Sequence, residues 1–101
     1  MKKLIHTTQK QMLRGSILRI CNELPATGAG TPLMLSILKQ KGSAATADDI
    51  ADACYYLQCK GLITLKNFKS DTLQTERDIA YITANGIDVL DGTTEIDGIT
   101  I

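Results

Sequence analysis

The stretch "TADDIADACYYLQCKGLITL", Thr46 to Leu65, limits the fold more than any other, because the apolar period changes inside it. Ile50, Ala53, Cys54 and Leu57 recur at the spacing of one helix face. Beyond Gly61, Ile63 and Leu65 alternate with polar residues at the spacing of a strand. Thr46 is placed to cap the N–H of Asp49, whose carboxylate reaches back in a capping box. Gly61 is the residue type that closes helices. The chain therefore passes from a helix with one buried stripe into a half-buried strand, and both inward faces need one core.

The rest of the chain is punctuated in the same way. Leu13, Ile17, Ile20, Cys21 and Leu24 predict a helix from about Thr8 to Leu24, with Gln11, Arg14 and Arg19 largely off its apolar face. Pro25 and "ATGAGT" stop it and read as a flexible loop. Gly28 and Gly30 do not read as a phosphate cradle, since no strand precedes them and no Lys-Ser/Thr follows. Thr31-Pro32 predicts a second helix start, with Thr31 as the cap. That helix carries Leu33, Met34, Leu35, Ile37 and Leu38 and closes on Gly42 after two cations. After the strand Leu62–Lys66, the polar stretch from Asn67 to Glu76 reads as a loop, and a second strand returns over about Asp78–Ile82. Thr83 then caps a short helix, "ANGIDVLDG", with Ile87 and Leu90 expected inward. The expectation is a mainly α domain with a small two-stranded β-hairpin. Its core spans about residues 8–92, with a basic arm at 1–7 and a tail at 93–101.

At 101 residues the chain is long enough for one core without staples. The three cysteines lack paired short spacing, and Cys21 and Cys54 fall on apolar helix faces, so they read as small buried hydrophobes of a reducing cytosol. No CxxC is present and His6 is the one histidine, so neither a metal site nor a cofactor is expected. No apolar run reaches membrane or signal-peptide length, which fits a cytoplasmic protein with no membrane partner. Net charge is zero but unevenly placed. Residues 1–70 hold ten Lys/Arg against four Asp/Glu, and residues 71–101 hold one Arg against seven acids. Such a dipole brings a basic face to nucleic acid, pairs end to end with another copy, or is neutralised within the chain.

The order of elements, and two of its junctions, resemble a winged helix-turn-helix domain over residues 12–91. "IADACYYLQCKGLITL" is similar to that family's third helix running into the wing, and "YITANGIDVL" to the strand that leaves the wing for a closing helix at Thr-x-x-Gly. The ending "GTTEIDGI" further resembles small uncharacterised winged-helix proteins of Mu-like phages and prophages. The resemblance implies a three-helix core, a two-stranded wing and a short C-terminal helix. It implies DNA as the partner, a role as an accessory or transcriptional regulator, and dimerisation through the first and last helices. It would place Thr46, Tyr55 and Tyr56 on the recognition helix, with Lys66, Asn67, Lys69 and Arg77 on the wing. The basic residues Lys2, Lys3, Lys10, Arg14 and Arg19 would add phosphate contacts.

One feature opposes a DNA-reading third helix: "DDIADACYYL" carries three carboxylates and no cation. Asp48 and Asp49 suit the positive end of a helix dipole, yet they occupy the place where phosphates would sit. The competing reading is a protein-interaction module. In it Asp48, Asp49, Asp52, Tyr55 and Tyr56 dock a partner together with Ile96, Ile99 and Ile101 of the tail. At least one of Tyr55 and Tyr56 is expected to be half-buried against the wing. No paired carboxylates, phosphate loop or nucleophile elbow appears, so catalysis is not expected.

Overall fold

The junction between helix and strand forms as the residues dictate. In the computed structural model, which describes residues 2–101 (of Lys2, Lys3, Leu4 and Thr75 the backbone only), a helix α3 spans Ala47–Cys59. Thr46 Oγ1 accepts from the Asp49 N–H at 3.2 Å, and the Asp49 carboxylate accepts from the Thr46 N–H at 2.9 Å, completing the capping box. Gly61, at φ +74°, takes the left-handed position past the helix. Its N–H donates to the Gln58 carbonyl at 2.9 Å, and the Leu62 N–H donates to Leu57 at 3.0 Å, a Schellman closure.

The full order is α1 (Lys2–Glu23), β1 (Ala29–Gly30), α2 (Thr31–Gln40), α3, β2 (Ile63–Ser70), β3 (Thr75–Ile82) and α4 (Ala84–Leu90). About half of the chain is helical, and the strands form one antiparallel sheet in the order β1-β3-β2. The sheet is three-stranded, where the sequence predicts two strands. Ala29 pairs with Ala80 and Gly30 with Ile79, so the "ATGAGT" segment is ordered by a partner about fifty residues away. Gly30, rather than Thr31, caps α2 and does so without a side-chain bond. The hairpin is also longer than expected. Pairing continues from Ile63↔Ile82 through Asn67↔Asp78 to Ser70↔Thr75, leaving only residues 71–74 as the turn.

One core unites these elements. Ile17, Leu18 and Cys21 of α1, Met34 and Leu38 of α2, Ile50, Leu57 and Ala53 of α3, Leu62, Ile63 and Ala80 are buried together. Thr83 ties the two ends of the hairpin to each other. Its N–H donates to the Leu62 carbonyl at 3.0 Å, its hydroxyl donates to the Gly61 carbonyl at 2.7 Å, and the same oxygen caps α4 by accepting from Gly86 N–H at 3.2 Å. In α4 the inward residues are Gly86 and Val89, with Leu90 partly buried. Ile87, expected inward, is 39 % exposed.

The first helix and the tail also differ from expectation. Residues 2–7 continue α1 rather than forming a separate arm, and residues 5–10 all project into solvent. The segment 93–101 folds back along α1. The Thr100 N–H donates to the Gln11 carbonyl at 3.1 Å, and Ile96 and Ile99 pack partly buried against the core. Two glycines permit this approach. A side chain at Gly15 would run into the Thr100 carbonyl, and one at Gly98 into the Tyr56 hydroxyl.

Candidate nucleic-acid interface

Helix α3 presents carboxylates and one aromatic ring to solvent. Asp48, Asp49, Asp52 and Tyr55 are exposed, Tyr55 at 69 %, and no cation occurs on the helix before its cap residue Lys60. Two hydrogen bonds from Thr46, with the nearby positive charge of Lys10, hold the Asp49 carboxyl below the ordinary carboxylate range. The end of α3 that would approach phosphates is thus already occupied by the chain's own anion.

Two cations of α1, Lys10 and Arg14, face α3 and the tail. The Arg14 guanidinium lies 3.7 Å from the Tyr56 ring centroid, and its Nη1 donates to the Gly98 carbonyl at 2.9 Å. Stacking and a charge-assisted bond together fix a planar guanidinium in place. The Lys60 ammonium approaches the same ring at 5.6 Å, and Gln11 Nε2 donates to the Asp97 carbonyl at 3.3 Å. Tyr56 is therefore half-buried, as one tyrosine was expected to be, but between Arg14 and Gly98 and not against the hairpin. Ile96 and Ile99 are drawn into the same docking and are not a projecting apolar tail, whereas Ile101 remains 46 % exposed. Arg19 is exposed and lines an open groove with Leu33, Ile37, Lys41 and Leu90. The side chains of Lys2 and Lys3 lie outside the described residues.

The hairpin sorts its side chains by face. Alternation from the buried Ile63 and the partly buried Leu65 puts Asn67 and Lys69 on the inward side, with Ala80, Asp78 and Glu76 across from this row. Asn67 Nδ2 donates to Glu76 Oε1 at 2.9 Å and to Asp78 Oδ1 at 2.8 Å, joining two like charges through one amide. The opposite face carries Thr64, Lys66 and Phe68, across from Tyr81, Ile79 and Arg77. Phe68 is 50 % exposed and sits directly opposite Arg77, while the Lys66 ammonium lies 5.2 Å from the Tyr81 ring. Of the four wing residues expected at one interface, Lys66 and Arg77 emerge on the same face of the hairpin. Asn67 and Lys69 face away beside two carboxylates. Phe68 was missed because its segment reads as a polar loop; extending the Ile63/Leu65 alternation by three residues would have placed it beside Lys66.

Cys21 and Cys54 are buried, and desolvation raises their thiols to about 12 and about 11 respectively, while Cys59 is exposed. Among the described residues no group of three His, Cys, Asp or Glu side chains is placed to hold a metal ion, and no helix is long and apolar enough to cross a membrane. No family model, curated protein or solved structure matches the chain.

Proposed function

We propose that this chain is a non-enzymatic winged-helix module that associates with DNA through the outward face of its hairpin, in an accessory or regulatory role. The element order supports this reading, because α3 leads directly into the hairpin, as a third helix leads into a wing. The observation that carries it is the segregation of the hairpin. Lys66 and Arg77 share the outward face with exposed aromatic surface, while Glu76 and Asp78 lie on the other side. A polyanion approaching the outward face meets cations and no carboxylate from either strand.

The magnitude of binding follows from the same count. Each neutralised phosphate contributes about 0.9 to the logarithmic salt slope on duplex DNA. Two contacts therefore predict a drop of about tenfold between 50 and 200 mM salt, far less than for a wholly basic interface. Titration of a fluorescent random-sequence duplex at both salt concentrations tests this. Absence of binding at the lower concentration removes the proposal.

A second reading rests on α3. Asp48, Asp52 and Tyr55 form an exposed acidic arc with an aromatic centre, which suits a basic protein partner better than DNA. An Asp52→Lys variant should then lose a partner that the unaltered chain retains. A second copy is a further candidate for contact, through the exposed Ile5 and Met12 of α1 and Ile87 of α4. Sedimentation of the chain with an Ile5→Glu/Met12→Glu pair of substitutions distinguishes a dimer from a monomer.

A further inference from the structure

We infer that the outward sheet face binds single-stranded polynucleotide, with Phe68 as the platform on which an unpaired base stacks. This rests on the nucleic-acid reading above and narrows it from DNA in general to strands with exposed base faces. Phe68 is the sixth of the eight residues of β2, on the outward face, and is half exposed. Its neighbours there are Lys66 two residues before it, Arg77 directly across, and Ile79 and Tyr81 further along β3, both only partly covered. The Ile79 and Tyr81 side chains in turn lean over Gly28, and Ile79 also over Gly30, so the apolar surface closes on the neighbouring segment.

Two physical arguments select single strands. A phenylalanine makes no hydrogen bond to phosphate, so its largest contribution to polyanion binding is stacking on a base face. In a duplex those faces are covered by neighbouring pairs, and a side chain reaches them only by wedging into a step. Phe68 is poorly placed for a wedge, since the projecting apolar residue at the turn is Leu73, 73 % exposed and two residues after Asp71. Cations beside an aromatic on a sheet face instead match the way single strands are held, with the backbone on the charges and the base on the ring. With only two cations available, stacking has to supply much of the affinity.

The chain contains no tryptophan, so a Phe68→Trp variant carries a single indole reporter at the proposed contact. It would be titrated at about 50 mM salt with oligo-dT and oligo-U of about ten nucleotides, with a blunt duplex, and with polyglutamate as a polyanion without bases. Saturable quenching by a single strand, weaker or absent with duplex and polyglutamate, is expected; the tighter of oligo-dT and oligo-U then identifies the sugar. In the otherwise unaltered chain, Phe68→Ala should lower single-strand affinity by about 5- to 150-fold, the range for one stacked base. Phe68→Leu should not restore it. Duplex affinity equal to that for single strands, with no effect of Phe68→Ala, overturns this inference and leaves the broader DNA reading standing. Equal quenching by polyglutamate overturns stacking in favour of an acidic partner. No binding of any nucleic acid overturns both.

Discussion

Two regions of this molecule carry basic residues next to aromatic rings, and they differ in what those residues touch. On α1, Arg14 is stacked on Tyr56 and bonded to the Gly98 carbonyl, and Lys10 sits near Asp49. On the hairpin, Lys66 and Arg77 point outward beside Phe68, and neither is in an ion pair among the described residues. Arg14 is thus committed to contacts within the chain and Lys10 lies near an acid, while Arg19 of α1 stays exposed. Lys66 reaches over the Tyr81 ring and Arg77 lies across from Phe68, both on the face away from Glu76 and Asp78. Counting cations along a chain finds the first region, whereas the face on which they emerge finds the second.

The sharpest way to break this comparison is to evict the tail. Gly15→Val places a branched side chain against the Thr100 carbonyl and should displace residues 96–101. The expected cost is about 3 kcal/mol, the upper end for overpacking. Each kcal/mol corresponds to roughly 4–8 °C in Tm for a domain of this size. Thermal unfolding checks the loss, and an unchanged Tm would show that the tail contributes little.

A smaller effect is expected for Arg14→Ala, about 1–2 kcal/mol, since it removes one charge-assisted bond and one cation–π contact at a half-buried position. Arg14→Lys should recover only part, because an ammonium cannot stack as a plane. Denaturant midpoints of the two variants separate these outcomes.

The smallest effect concerns the thiols. Cys59 alone should react with an aromatic disulfide reagent in the native state, one equivalent per chain, with Cys21 and Cys54 reacting only after unfolding. In the unfolded chain all thiols ionise near the ordinary value of 9.0, whereas the folded state holds two of them neutral to about 11 and about 12. The unfolded state therefore binds fewer protons above pH 9, and stability should fall as pH rises from there towards the folded values. A flat stability profile across that window would mean the two thiols are not desolvated.

Much of the fold is legible in the sequence because its punctuation is local. The Thr46–Asp49 box, the Gly61 closure and the Thr83 cap each depend on residues within one or two turns, and each forms as read. Pairing partners distant in sequence defeat the same reasoning. Ala29-Gly30 becomes a strand only because Ala80 and Ile79 are beside it. Asn67 to Glu76 has no apolar alternation, since its inward positions there are Asn67 and Lys69 opposite Asp78 and Glu76, and those pairings extend the strands past the core. The short helix α4 turns its smallest residue, Gly86, inward in place of Ile87, which no apolar periodicity reveals. The docked tail had one unused signal: Gly15 in the middle of an otherwise ordinary helix, which marks close backbone approach more often than flexibility. For the candidate site, residue types were legible and their faces were not. Lys66 and Arg77 were named together with Asn67 and Lys69, and only strand pairing separates them.

If the hairpin carries the proposed interface, its cations meet nucleic acid and Lys10 and Arg14 of α1 do not. The direct measurement compares two double variants, Lys66→Ala/Arg77→Ala and Lys10→Ala/Arg14→Ala, each confirmed folded, for oligonucleotide affinity against salt. The first should weaken binding and flatten the logarithmic salt slope by about 1.4 on a single strand. The second should leave both affinity and slope as they are in the unaltered chain. Loss of binding in the second variant with retention in the first would contradict the account and return the interface to the basic helix.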